Sequence, residues 1–375
     1  MKIGIMLRHY EQHSGGVKVY TLNVLPRLLA MDHDDEFVLM YQNPALVGTY
    51  SKYPNVKEVS LGSLNKLTWD QVVVPWYIEK EGIDLVFNMK FSIPFFSPAK
   101  KLAIYHGFEW FVIPETFLWY DRLYTRAMIP LYCRSADRLI AVSNVVKDDI
   151  VKYTRSDPEK INVVYYGIDA SRFKRILDQR RLEQVKQQYG LPDRFILWVG
   201  QLYPPKNVGR LLKAFGRIKD QVPHQLVIAG EQRWRAESDL QLIEELGLKN
   251  RIQFSGWVSH DDLPVFYNLA DLFAFPSLYE GFGIPLLEAM ACGCPILTSK
   301  TGTPPEVVGE AGFLVDPLHV DEIVEGLNTV LSNPALRAQM CSKGLERVKP
   351  YTWDRCARLT LYSIESFKTN IYVTN

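Results

Sequence analysis

No surplus of charge of either sign marks this chain of 375 residues: 43 Lys and Arg stand against 42 Asp and Glu, a formal net charge of +1. The balance holds within each half, with 19 basic and 19 acidic residues up to position 170 and 24 against 23 after it. A nucleic-acid binder or a polybasic membrane anchor would carry a basic excess, so both are excluded as expectations. Cysteine is scarce. Cys133, Cys292, Cys294, Cys341 and Cys356 are odd in number and scattered, in a chain long enough to bury its own core, so no disulfide framework is expected. Cys292-Gly293-Cys294 has the wrong spacing for a zinc knuckle and lies in an apolar run, which points to a structural role. No apolar run is long enough to span a bilayer, and Lys2 to Leu7 reads as a strand rather than a signal-peptide core. The expectation is a cytoplasmic protein whose only contact with a membrane is peripheral.

What the chain does have is alternation. Apolar runs of strand length recur between longer segments of helical period, the pattern of an α/β protein with parallel sheets covered on both faces. A first series is expected at Lys2 to Leu7, Glu36 to Tyr41, Asp84 to Phe87, Lys101 to Tyr105, Arg138 to Val142 and Ile161 to Tyr165. Residues Asp169 to Asp193, rich in Arg, Lys and Gln, read as a linker with a helix. A second series follows at Phe195 to Val199, Gln225 to Ile228, Ile252 to Phe254, Leu272 to Phe275, Pro295 to Thr298 and Phe313 to Val315. Two domains are therefore expected, 1–170 and 171–351, each a Rossmann-like doubly wound sheet, facing one another across a cleft. Pro26 predicts a kink in the helix after the first strand, and Pro130 an interruption of the helix that carries Arg122 and Arg126.

The densest information lies between Ser277 and Leu297, SLYEGFGIPLLEAMACGCPIL. Before it, ADLFAFP reads as a buried strand stopped by Pro276; after its Gly-Phe-Gly turn, Pro285 fits the start of a helix whose apolar face is Leu286, Leu287, Met290 and Ala291. A strand, a glycine turn and a helix N-terminus make an anion site, because unpaired backbone N–H groups and the positive end of the helix dipole point into one space. Glu288 is expected in the first helical turn, where it would accept from ribose hydroxyls; Glu280, on the loop, would accept from sugar hydroxyls. Taken singly, Glu280 also reads as a solvated loop residue and Glu288 as a complement to the dipole.

Together these residues resemble the Glu-x7-Glu signature of glycosyltransferase family 4, retaining and metal-independent enzymes of the GT-B fold. The likeness runs along the chain in order: Gly15-Gly16, His106, Ser143, Tyr166-Gly167-Ile168-Asp169, Gly200 with Lys206-Asn207, Ala229-Gly230, and Glu280 to Glu288. It implies a catalytic set of Lys206, Glu280 and His106. It also implies donor contacts at Gly16, Gln201, Val258, Gly281, Phe282, Gly283, Ile284 and Glu288, with His13 and Ser14 in the same loop as Gly16. Lys206 would neutralise the leaving diphosphate as a point charge. Two positions depart from the family's pattern: Gln201 stands where arginine is common, and Gly107 where an acid follows the histidine, leaving Glu109 as a substitute. The resemblance further implies a terminal helix from about residue 352 crossing back to the first domain. It implies no cofactor and no metal, and Asp32-His33-Asp34 reads as a solvated turn. The expected donor is UDP- or GDP-hexose, and the acceptor a hydroxyl of a glycan, a lipid-linked sugar or a small molecule. Phe108, Trp110, Phe111, Phe117, Trp119 and Tyr120 are candidates for an acceptor groove and equally for core. A non-catalytic sugar-nucleotide-binding subunit and a nucleotide-sugar 2-epimerase are the competing readings.

Overall fold

The apolar runs form parallel strands in two separate sheets, in a computed structural model that describes residues 1–11, 15–231 and 237–369. The sheets belong to two compact units. Unit 1 takes in Met1–Gly167 and the chain from Trp353 onward, and unit 2 is Ile168–Thr352. His13 and Ser14 lie outside the described residues.

Unit 1 holds β1 (Lys2–Met6), β2 (Glu36–Tyr41), β3 (Val56–Ser60), β4 (Leu85–Asn88), β5 (Lys100–Tyr105), β6 (Arg138–Ala141) and β7 (Ile161–Val163). Their spatial order is β3-β2-β1-β4-β5-β6-β7. β3 is the strand that the sequence pattern does not announce. It is a sheet edge reading VKEVS, with no fully buried residue, so the hydrophobic signal that marks interior strands is weak. The helices Gly16–Met31 and Trp119–Ser135 continue through Pro26 and Pro130, so the expected interruption at Pro130 does not occur. Arg138 opens β6 and is buried. The helix Trp353–Thr369 packs on Gly16–Met31, where Tyr20 Oη and Thr360 Oγ1 lie 3.1 Å apart and Arg27 Nε donates to Asp354 Oδ1 at 2.8 Å.

Unit 2 holds β8 (Phe195–Val199), β9 (Gln225–Ala229), β10 (Ile252–Gly256), β11 (Leu272–Phe275), β12 (Ile296–Ser299) and β13 (Gly312–Val315), in the order β10-β9-β8-β11-β12-β13. All six lie within a residue or two of the expected runs. The linker's helix, Gln179–Tyr189, is capped by Asp178 and belongs to this unit; Asn268 fastens the preceding segment by donating to the Lys174 carbonyl at 2.9 Å and accepting from the Ile176 N–H at 2.8 Å. In each sheet the order reverses once, between β1 and β4 and between β8 and β11, and such reversals open a crevice at the carboxyl ends of the strands.

Just past β8 and β9 the backbone crosses itself closely. Gly200 donates to the Ala229 carbonyl at 3.0 Å and Gly230 to the Gly256 carbonyl at 2.7 Å, and a Cβ at Gly230 would sit 1.7 Å from the Gly200 carbonyl oxygen at a φ of +146°. Only a residue without a side chain fits there. Gly230→Ala is expected to cost at least about 3 kcal/mol through backbone displacement, read as a fall in melting temperature; a wild-type melting curve would overturn this account of the crossing.

Candidate active site

In unit 2 the residues expected around the donor come from three strand ends. Gln201 and Lys206 follow β8, Val258 follows β10, and Glu280 to Ile284 follow β11. The anchor between them is Asn207. It is one of only two non-glycine residues with positive φ among those described, at φ 59°, and it is 5% exposed. Its Nδ2 donates to the Pro276 carbonyl at 2.8 Å and to the Pro317 carbonyl at 2.7 Å, while Oδ1 accepts from Arg210 Nη1 at 2.8 Å. Asparagine tolerates the left-handed region better than most residues, and here its side chain is fully used. The Leu278 N–H adds a bond to the Pro205 carbonyl at 2.9 Å, which ties the loops after β8 and β11 together.

Lys206 and Glu280, 74 positions apart in sequence, meet at this junction. Nζ lies 2.6 Å from Oε1, and both side chains are mostly buried, with Glu280 8% exposed. Glu280 is therefore not a solvated loop residue. The lysine ammonium also lies 5.1 Å from the centroid of the Phe275 ring and 5.8 Å from that of Tyr203, which adds cation–π attraction. A buried ion pair repays its desolvation only with good geometry and further partners, and pairs of this kind are common where a ligand will exchange with one member.

The Gly281-Phe282-Gly283 turn leads directly into the helix Ile284–Ala291. Gly283 is its N-cap at φ 91°, with no side-chain cap, so the first helical N–H groups are left for other acceptors. Thr303 Oγ1 holds the turn from behind by donating to the Gly281 carbonyl at 3.1 Å. Phe282 is buried with its ring edge-on to Tyr351, centroids 6.1 Å apart. Pro285 is the second helical residue.

Glu288 does not lie in the first helical turn. The helix begins at Ile284, which places Glu288 in the second turn, where the dipole acts weakly. Its partner is instead Tyr267, whose hydroxyl donates to Oε2 at 2.9 Å. Burial pushes the carboxyl up to about 7, with the Tyr267 hydrogen bond opposing the shift. Val258 is buried beside exposed Trp257, and Gln201 is half-buried after Gly200.

In unit 1, Gly16 is the first residue of its helix, following Gly15 at φ 123°, and a Cβ at either would meet nothing within 4 Å among the described residues. His106 stands at the end of β5 but is fully engaged. Nε2 donates to the Met89 carbonyl at 2.8 Å, which fixes the tautomer, and Nδ1 accepts from the Tyr166 hydroxyl. Burial pushes the imidazole down to about 4, so it is neutral, and neither nitrogen is open to a sugar hydroxyl in this arrangement. These two bonds tie together the chain segments after β4, β5 and β7. Glu109 opens the short helix Glu109–Val112 and is half-buried. Of the aromatics, Phe108 is core, while Trp119 and Tyr120 are exposed.

Asp32 folds onto its own turn, accepting from the N–H groups of Asp34 and Asp35 at 3.0 and 3.1 Å. Among the described residues Asp316, His319 and Glu322 bring potential ligand atoms within 4.8 Å of one another, but the Lys300 ammonium pairs with Asp316 at 3.5 Å and Glu322 at 3.0 Å.

Comparison with known proteins supports the same reading. A family described as glycosyl transferases group 1 matches residues 179–347, and one described as glycosyltransferase family 4 matches residues 14–172. The O-antigen chain mannosyltransferase B of Escherichia coli is 29% identical over 70% of this chain and 69% of its own length. The serotype-specific mannosyltransferase WbdA of Escherichia coli is 30% identical over 60% of this chain, a stretch spanning only 28% of WbdA. An MMP alpha-(1->4)-mannosyltransferase of Mycolicibacterium hassiacum is 32% identical over 68% of this chain and 59% of its own. Among solved structures, a sucrose-phosphate synthase from Thermosynechococcus elongatus superposes with a TM-score of 0.79 at 19% identity, covering 99% of this chain and 100% of that one. HepE of Anabaena, solved with UDP and glucose, gives 0.76 at 20%, covering 98% and 100%. With two family models spanning most of the chain between them and both sheets in place, the chain belongs to the family 4 glycosyltransferases and is an enzyme of the GT-B fold.

Proposed function

We propose that this glycosyltransferase moves a hexose from a nucleoside diphosphate sugar to an acceptor hydroxyl, with retention of anomeric configuration and without a metal or cofactor, in the synthesis of a polysaccharide, glycolipid or glycoconjugate. The observation that carries it is the buried Lys206–Glu280 pair at the strand reversal of unit 2, beside the uncapped helix N-terminus at Gly283. Mannose is the first sugar to test, since the relatives are mannosyltransferases. The donor is UDP- or GDP-linked, and Val258 offers the base backbone contacts only, so neither base is favoured by its side chain.

In this scheme the bond between the anomeric carbon and the diphosphate breaks as the acceptor oxygen attacks from the same face, and the acceptor proton passes to the departing phosphate oxygen. Lys206 and the N–H groups at Gly283 and Ile284 stabilise the charge on the leaving group. Glu280 accepts from the sugar's hydroxyls and keeps the lysine aimed. Gly281 lets backbone approach phosphate, and Glu288 holds the ribose. Gln201 supplies a hydrogen-bonding amide where a guanidinium would supply charge, so Lys206 and the helix end carry more of the diphosphate.

Lys206→Ala and Glu280→Ala are each expected to lower transfer by at least about a hundredfold, scored with labelled GDP-mannose and UDP-glucose over an acceptor panel. Rates like wild type would sink the assignment. Nuclear magnetic resonance of the first-formed product is expected to show the donor's anomeric configuration; inversion would refute the mechanism, and nucleotide binding with no turnover of any donor would make the chain a binding subunit instead.

Glu288 gives a pH signature. Its carboxyl titrates near 7, and only the ionised form accepts from both ribose hydroxyls, so nucleotide affinity is expected to rise roughly tenfold from pH 6 to pH 8. Glu288→Gln flattens the profile if Glu288 holds the ribose. The same slope in both proteins would place the ribose elsewhere.

A further inference from the structure

We propose that unit 1 carries a receptor for a phosphate group of the acceptor, formed by Arg8, Lys66 and Lys90 at the reversal point of its sheet. The inference rests on the transferase reading above and names the acceptor's chemical class.

Arg8 follows β1 by two residues, Lys90 follows β4 by two, and Lys66 begins the helical turn Lys66–Thr68 after β3. β1 and β4 are the neighbours between which the strand order reverses, so Arg8 and Lys90 flank the crevice where α/β sheets take ligands. The two ammonium groups lie against one ring: Lys66 Nζ is 4.5 Å and Lys90 Nζ 5.7 Å from the centroid of half-buried Phe91, and Lys66 is 5.5 Å from that of Tyr124. No hydrogen bond or ion pair is made by the side chains of Arg8, Lys66 or Lys90 to the described residues.

Three cations converge and are partly desolvated, an arrangement that proteins ordinarily offset with matched carboxylates. Two carboxylates face them. Asp70 is 2% exposed, and its Oδ2 has no hydrogen-bond partner among the described residues. Glu109 faces Lys90 from the start of its helix. Burial pushes Lys66 down to about 8, with Asp70 opposing and Lys90 and Arg8 adding repulsion; Lys90 is lowered in the same way. His9 and His106 nearby are both held neutral by burial and add no positive charge. A phosphate carries enough charge to answer all three cations and enough oxygens to take a hydrogen bond from each. Trp110 stands edge-on to Phe91 with centroids 5.9 Å apart, which supplies an aromatic wall for the sugar or isoprenoid that bears the phosphate.

Two sources share this chemistry, a phosphorylated sugar and a prenyl diphosphate. Glucose 6-phosphate and geranyl diphosphate are titrated calorimetrically into the full chain, into Lys90→Gln, into Arg8→Gln as a second variant of the cluster, and into Lys206→Ala. At least one ligand is expected to bind wild type with a Kd below about 1 mM, to lose about tenfold or more in either cluster variant that melts cooperatively, and to bind Lys206→Ala as it binds wild type. The tighter of the two names the source. Failure of both ligands to bind, equal binding by both cluster variants and wild type, or loss in Lys206→Ala alone overturns the proposal. UDP and GDP titrated into the same proteins read the donor site separately: loss of nucleotide binding in Lys206→Ala supports the donor reading whatever the phosphate arm shows, and failure there leaves the phosphate result standing on its own.

Discussion

One buried amide holds the candidate active site of unit 2 together. Asn207 spends both N–H bonds on the carbonyls of Pro276 and Pro317 and its oxygen on Arg210, and so joins the segments that follow β8, β11 and β13. Each of those segments ends a strand and has no ladder of its own to fix it. The amide replaces the missing ladder, at the cost of a left-handed backbone that a side chain adopts only when its surroundings over-determine it. Lys206 is the residue before it, and its ammonium can reach Glu280 because the loop carrying Glu280 has been brought in and fixed.

The Lys206–Glu280 pair then stands in a particular energetic position. At 2.6 Å, with little solvent, it gains strong attraction and loses much hydration, and removing either partner would strand the other at a cost of about 3 to 5 kcal/mol. A pair in that balance gives up some of its mutual attraction readily when a new anion arrives for the lysine and new hydroxyl donors for the glutamate. The glycines of the following turn serve the same end, since Gly283 takes a positive φ that turns the chain into its helix without a capping side chain in the way. Catalytic groups of this sort need little reorganisation, which is where electrostatic stabilisation of a leaving group is most effective.

The strand series was legible because interior parallel strands are nearly continuous apolar runs, and the strand ends that bear Gln201, Lys206, Val258 and Glu280 were legible with them. β3 was not, since an edge strand keeps polar residues on both faces. Pro130 misleads because packing holds a helix through a single missing hydrogen bond, which propensity alone counts as a stop. Glu288 and His106 show a different limit. Their positions along the chain were readable, but the Tyr267 hydroxyl that faces one and the Met89 carbonyl and Tyr166 hydroxyl that occupy the other come from distant segments with no local signal. Asn207 and Thr303 escaped notice as supports for the same reason.

The two sheets solve one problem in opposite ways. At the reversal point of unit 2 a single cation has a carboxylate in contact, so its position is set before any ligand arrives. At the reversal point of unit 1 the cations press on aromatic rings, while Asp70 lies too deep to meet them and keeps an oxygen bare. The first arrangement suits a group that must be placed accurately against a reacting bond. The second stores unfavourable self-energy in several long side chains, and that energy is released when an anion binds, which suits a group that must be held while chemistry happens elsewhere on the same molecule. Near-zero net charge along the sequence hides this difference, because it arises from which charges the fold brings together and not from how many the chain contains.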